Sequence, residues 1–227
     1  MVIKPIAHIK NAYKTKFAIP RQSRLANSKS LIVFEKEFAS KDALRGIDGY
    51  SHLWLIWDFS EAHRDEWSPT VRPPRLGGNK RMGVFATRSP YRPNQIGLSC
   101  VKLISVDISS NIPTLTVEGA DLMDGTPIYD IKPYIAFTDS VPDAICGFAD
   151  GVKDEHLLVT VTDTLLQKIP HSERIAFIDI LAGDPRPSYH HDSRRLYGFE
   201  YLGFEIKFKV DGNMLEVVSI TEAHDHK

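Results

Sequence analysis

The chain has 227 residues, 42% of them hydrophobic and 25% charged, with a net charge of −1, a composition that fits a globular protein able to bury a core without staples. No run reaches the roughly 18 apolar residues of a membrane span, and Met1-Val2-Ile3-Lys4-Pro5 lacks the pattern of a secretory signal. Two distant cysteines, Cys100 and Cys146, rule out a disulfide scaffold or zinc finger and point to the reducing cytoplasm, with Cys100 as a core residue.

Strand signals dominate the first two-thirds. β-branched and aromatic residues separated by Gly, Pro and Asn predict strands at 2–9, 31–34, 53–59, 83–87, 96–108, 114–118 and 128–135. One short helix is expected at 40–45, with Ser40 as its cap and Gly46 at its end. Many short strands with glycine-rich corners predict a closed barrel. The pattern changes near residue 148. A strand at 157–162 precedes a helix at 172–181, with Ser172 at its cap and Gly183 beyond its end. Two strands, 199–210 and 214–220, follow, joined by Asp211-Gly212-Asn213. The expected fold is mainly β: an N-terminal β-barrel domain over 1–147 and a small α+β C-terminal domain over 148–227.

The near-neutral net charge conceals segregation. Residues 1–34 hold seven basic residues and no acid, and residues 67–106 hold seven more, again with no acid. In the second stretch, Arg72, Arg75, Lys80, Arg81, Arg88 and Arg92 sit among Pro, Gly and Asn rather than at helical spacing. Stiff loops bearing planar guanidinium forks suit an anionic ligand or nucleic acid.

The fingerprints of dinucleotide and P-loop sites are absent, and strands do not alternate with helices. Neither a nucleophile elbow nor a zinc-protease motif is present. The histidine pairs His190/His191 and His224/His226 read as solvated loop and tail, so no metal site is expected. Two segments stand apart from simple turns. Residues 83–99 place Arg88, Arg92 and Tyr91 beside the hydroxyls of Thr87, Ser89 and Ser99. Residues 121–134 open with Asp121-Leu122-Met123-Asp124-Gly125-Thr126-Pro127.

Together with Thr70-Val71-Arg72-Pro73-Pro74-Arg75-Leu76-Gly77-Gly78-Asn79 and Lys16-Phe17-Ala18-Ile19-Pro20-Arg21-Gln22, these segments resemble the TrmO (TsaA-like) family. Asp184-Pro185-Arg186-Pro187-Ser188-Tyr189 is similar to its two-domain bacterial members. The resemblance implies a β-barrel methyltransferase that uses S-adenosylmethionine without a Rossmann domain. It implies action on N6 of the threonylcarbamoylated adenosine beside the tRNA anticodon, and a homodimer with the cofactor near the subunit interface. Carried over by position, cofactor contacts fall on Pro20, Arg21, Gln22 and Ser23; on Ser60 and Glu61; on Arg88 and Leu98; and on Leu122, Met123, Asp124, Gly125 and Thr126. At Ser60-Glu61 this chain departs from the family, which often has a His followed by a polar residue there.

The chemistry of the residue types is compatible with that implication. An arginine such as Arg88 suits the cofactor carboxylate, an acid such as Asp124 its ammonium or ribose, and Leu98 and Leu122 its adenine. Arg72, Arg75, Lys80, Arg81 and Arg92, with Arg186 from the C-terminal segment, are the expected RNA contacts, and Tyr91 the stacking surface for an anticodon-loop base. Asp124 and Tyr129 are the candidate general bases. Two rivals accompany this reading: a non-catalytic β-barrel that binds RNA or a small anion, and a hydrolase of phosphorylated substrates. Cofactor affinity separates the first; metal-dependent turnover would revive the second.

Overall fold

A computed structural model of the chain describes residues 2–76, 80–152, 156–186 and 192–223. In chain order the first eight strands are β1 (Ala7–Lys10), β2 (Lys29–Phe34), β3 (His52–Asp58), β4 (Thr70–Val71), β5 (Met82–Gly83), β6 (Ile96–Asp107), β7 (Thr114–Glu118) and β8 (Pro127–Pro133). Six of them close an antiparallel barrel in the order β1-β2-β7-β6-β3-β8, with β8 returning to β1. Alternation within each strand sends Ile9, Ile32, Leu53, Leu55, Val101 and Leu115 inward, where all six are fully buried. The pair β4–β5 is an excursion between β3 and β6.

Trp57 sets the spacing at one end of this barrel. It lies opposite Gly97 in the β3–β6 register, and its indole covers that glycine so closely that a Cβ there would sit 2.2–2.6 Å from ring atoms. The ring thereby reaches across the strand, and its Nε1–H donates to Ser99 Oγ at 2.9 Å.

After β8 come the short helix α1 (Ala136–Asp139), strand β9 (Leu158–Thr160), and helices α2 (Asp163–Leu166) and α3 (Arg174–Ala182). Strands β10 (Tyr197–Tyr201), β11 (Phe204–Asp211) and β12 (Met214–Glu222) complete a four-stranded sheet in the order β10-β11-β12-β9, with β9 parallel to β12. Phe177, Ile180 and Leu181 of α3 pack with Phe199, Phe208 and Leu215 of the sheet. Tyr13, Ala18 and Ala26, all from the segment between β1 and β2, are buried in this second core rather than in the barrel.

The strand expected at 2–9 is shorter, Ala7–Lys10, and four further elements differ. The strand expected at 83–87 ends at Gly83, and Val84–Ala86 is a 3-10 turn, with the Val84 N–H donating to the Pro69 carbonyl and the Thr87 N–H to the Val84 carbonyl. The expected helix at 40–45 is a single 3-10 turn, Asp42–Leu44, without a cap from Ser40; Gly46, at φ 84°, leads into the next turn. So short a run cannot repay helix nucleation. Ser172 lies in a 3-10 turn before α3, where its hydroxyl donates to Glu173 instead of capping. The strand expected at 199–210 is two strands, folded back at Leu202 and Gly203, whose φ values of 53° and 78° match a tight primed hairpin.

The Trp57–Gly97 contact gives a direct test. Gly97→Ala forces the indole off its strand neighbour and should cost about 1–3 kcal/mol by overpacking, lowering the thermal midpoint by several degrees. Gly49→Ala, where a Cβ meets nothing within 4 Å, is the control expected to leave the midpoint unchanged in the same melting experiment.

Candidate functional site

The end of the barrel where β3 finishes and β6 and β8 begin gathers much of what the sequence singled out. The turn at 123–126 is built first. Thr126 N–H donates to the Met123 carbonyl at 3.1 Å, and Gly125 takes φ 82°, the left-handed value a glycine adopts freely. The chain after β1 clamps this turn. Asn11 donates its backbone N–H to Asp124 Oδ1 and its amide to the Leu122 carbonyl, both at 2.9 Å, while Lys14 Nζ reaches Asp124 Oδ2 at 2.6 Å.

That clamp fixes the chemistry of Asp124. Partial burial works to raise its pKa, but the Lys14 ion pair and the Asn11 N–H outweigh it and hold the carboxyl below its ordinary range. A carboxylate so stabilised is a poor proton acceptor. Tyr129 fails as a base for the opposite reason. Burial, the charge of Asp58 and a hydrogen bond donated to Asp58 push its phenol upward. Leu122 needs correction too: its side chain is fully buried in the barrel core, so only its backbone can face a ligand.

Asp121 was not singled out, yet it is where the parts meet. Ser99 Oγ donates to its Oδ1 at 2.5 Å, with the Trp57 indole behind Ser99. The Ser23 backbone N–H also donates to it, and Arg88 lies close enough to lower its pKa. Desolvation nevertheless wins, and the carboxyl is raised. Arg88 itself is exposed and donates to Gln22 Oε1. Thus Ser23 and Arg88 meet around one carboxylate, and Gln22 is tied to it through Arg88. Leu98 lies one residue from Ser99 on the outer face of β6 and is 56% exposed.

Ser60 and Glu61 occupy a 3-10 turn directly after β3, and Lys16 Nζ donates to the Glu61 carbonyl. Pro20 and Arg21 stand apart from Asp121, in a cavity of about 270 Å³ at the junction with the C-terminal domain, which Phe17, Pro74, Asp184 and Arg186 also line. Arg21 donates to the carbonyls of Asp184 and Arg186 across that junction. A second cavity of about 350 Å³, bordered by Asn11, Lys14, Glu173 and Tyr201, also lies between the domains. Neither cavity contains Arg88 or Asp121; Arg88 is exposed at the surface, and Asp121 lies half-buried beneath it.

The expected RNA contacts divide by what holds them. Arg92 donates to the carbonyls of Thr87 and Ser89 and so staples its own loop. Arg81 donates to Thr70 Oγ1 at 3.1 Å. Arg186 forks onto Asp184 at 2.9 and 3.0 Å, with a side chain only 12% exposed, which takes it out of reach of RNA phosphate. One face of Tyr91 is covered by the Arg64 guanidinium, 3.9 Å from the ring centroid. Arg72 and Lys80 are exposed. Arg75 falls in the turn Pro74–Leu76, and its side chain lies outside the described residues, as do Gly77-Gly78-Asn79, Pro187-Ser188-Tyr189, His190/His191 and His224/His226. No group of three metal-ligating side chains occurs among the described residues.

The two acids predict opposite pH behaviour. Asp121, raised on folding, contributes stability that is present below the unfolded value of about 3.9 and lost as pH rises through its folded value. Asp124, lowered on folding, contributes stability present above that value and lost as pH falls through its folded one. In denaturant unfolding across the acid range, the deficit of Asp124→Asn, at most about 1 kcal/mol for a partly screened pair, should close as pH falls. The advantage of wild type over Asp121→Asn should grow over the same interval.

Comparison with known proteins shows the family of the chain. Residues 8–140 match the model of the tRNA-methyltransferase O N-terminal domain, and residues 155–223 match that of the TrmO C-terminal domain. A tRNA (adenine(37)-N6)-methyltransferase of Escherichia coli strain K12 is 38% identical over 224 residues, 95% of each chain. An S-adenosyl-L-methionine-binding protein of Archaeoglobus fulgidus is 38% identical over 141 residues, 62% of this chain and 94% of that one. A crystal structure of TrmO from Pseudomonas aeruginosa superposes with a TM-score of 0.76 at 30% identity, covering 97% of this chain and 98% of that one. With both domain models matched in order and the two-domain architecture shared, the chain belongs to the TrmO family of tRNA methyltransferases.

Proposed function

We propose that this protein transfers a methyl group from S-adenosylmethionine to N6 of adenosine 37 in tRNA, with the threonylcarbamoylated adenosine as its substrate. The observation that carries the reading is the convergence of Ser23, Ser99 and Arg88 on Asp121 at one end of the barrel, with Gln22 bound to Arg88. The donor set fits the cofactor. Arg88 supplies a cation for its carboxylate, Asp121 an acceptor for its ammonium or ribose hydroxyls, and exposed Leu98 an apolar edge for adenine. When bound, the cofactor supplies an electrophilic methyl group. The protein has to align the nucleophile with it and exclude water.

Exposed apolar side chains support a homodimer closed over this face. Trp67 and Phe85 stack at a centroid distance of 6.1 Å, with Phe85 71% exposed, and Ile96 and Leu98 lie outward at the start of β6. A second subunit there would shield the site from water. Arg72 and Lys80 are the side chains best free to meet tRNA phosphate, and a threonylcarbamoyl carboxylate adds a further anion for this basic stretch. Such a homodimer would work in the cytoplasm, where tRNA is available.

The test is methyl transfer from labelled S-adenosylmethionine to threonylcarbamoylated tRNA and to an unmodified transcript, read by nucleoside mass spectrometry. A methyl on N6 of the modified nucleoside alone is the expected product; equal transfer to the plain transcript would remove the threonylcarbamoyl requirement. No transfer despite tight tRNA binding would leave the non-catalytic binding module. Within the active protein, Arg88→Ala should weaken cofactor binding by about 10-fold or more, the scale of a charged hydrogen bond. Arg72→Ala combined with Lys80→Ala should instead lower the salt dependence of tRNA binding and spare cofactor affinity.

A further inference from the structure

We propose that His63, oriented by Asp58, accepts the proton that leaves N6 during methyl transfer. The inference rests on the methyltransferase reading and assigns its proton acceptor. Asp58 ends β3 with a side chain only 12% exposed. A carboxylate that deep requires partners, and it has two: the Tyr129 hydroxyl and His63 Nε2, the latter at 2.7 Å. A carboxylate can only accept, so the hydrogen of that bond belongs to Nε2. In the neutral ring this leaves Nδ1 bare, an acceptor carried on a side chain that is 54% exposed. An imidazole held in one tautomer by a buried acid, with its other nitrogen free, is the orienter–base relation of hydrolytic triads.

The position is equally specific. His63 directly follows the turn Ser60–Ala62. Phe59 N–H donates to the Gln95 carbonyl at 3.0 Å, fastening this turn beside the strand that carries Leu98. The titratable and charged groups around it are Asp58 from β3, Tyr129 from β8, Glu61 from its own turn and Lys16, which caps the Glu61 carbonyl. Arg64, next in the chain, is drawn aside over the Tyr91 ring.

The nitrogen to be methylated needs such a group, because its lone pair is delocalised into the purine and, in the carbamoylated nucleoside, into the adjoining carbonyl. In the proposed step the N6–H bond breaks and its proton passes to Nδ1. The electron pair left on N6 forms the bond to the methyl carbon, while the pair that held the methyl departs with sulfur. The Asp58 carboxylate stabilises the resulting imidazolium until water takes the proton.

The test uses the full chain with Asp58→Asn, His63→Ala and His63→Gln. Without cofactor or tRNA, the nitrogen shifts of His63 should report hydrogen on Nε2 in the wild type, a preference that Asp58→Asn should abolish. In single-turnover methyl transfer, His63→Ala should slow the step about 100-fold, the lower end of general-base contributions. Its cofactor and tRNA affinities should stay within about twofold, and added imidazole should restore part of the rate; His63→Gln should be equally slow. Hydrogen on Nδ1 in the wild type, a wild-type rate in His63→Ala, or a loss that imidazole does not restore each overturns the assignment. A wild type inactive on threonylcarbamoylated tRNA sinks the parent reading instead.

Discussion

Asp121 accepts hydrogen bonds from the Ser99 hydroxyl and the Ser23 backbone N–H, and Arg88 supplies the facing charge. Each partner comes from a different part of the chain: the loop before β2, the loop before β6, and β6 itself. The bond from Trp57 to Ser99 extends the chain of donors to β3, and the indole can lie that way only because residue 97 has no Cβ. One glycine, one tryptophan and one carboxylate thus hold together a face that local propensity alone would leave as separate loops. Desolvation of the carboxyl is the cost of that arrangement, and its raised pKa is the sign of it.

The segment between β1 and β2 does two jobs at once. Asn11 and Lys14 grip the turn at 123–126, while Tyr13, Ala18 and Ala26 are buried among the side chains of α3 and the second sheet. Arg21 and Asn27 add polar ties, to the carbonyls of Asp184 and Arg186 and to the Asp179 carboxylate. The C-terminal domain therefore packs against the same stretch of backbone that shapes the turn at 123–126. Loss of its packing would loosen Asn11 and Lys14, and with them Asp124, and would also release Gln22 and Ser23, which lie between Ala18 and Ala26 on the same segment.

The barrel was legible because its strands carry the β-branched alternation that a half-buried sheet demands, as in Leu53, Leu55 and Trp57 of β3. The errors fell where tertiary hydrogen bonds override composition. Val84 looks like strand, but its N–H is claimed by Pro69 and its carbonyl by Thr87. The hairpin at Leu202 and Gly203 was hidden because leucine seldom takes a positive φ. Asp121 carries no local signal: it is one acid at the head of a turn, and its partners Ser99, Arg88 and Ser23 lie 22 residues away or more. The pairing of Asp58 with His63 was equally silent, since five residues of separation match no helical or strand period and only the turn after β3 brings them together.

Charge counting was the least transferable part of the sequence reading, and the reason is physical. A guanidinium has five donors, and a loop rich in proline has carbonyls that no strand neighbour satisfies. Arg92 answers that need for Thr87 and Ser89, and Arg21 answers it across the domain junction. Arg186 is neutralised by Asp184, and Arg64 is spent on an aromatic face. A run of basic residues without acids therefore overstates the potential offered to a polyanion, because part of the run is structural. What remains for the proposed tRNA contact is narrower than the count but better defined. It comprises exposed cations, Arg72 and Lys80, on the excursion between β3 and β6, the same stretch whose other members build the loop that presents Arg88.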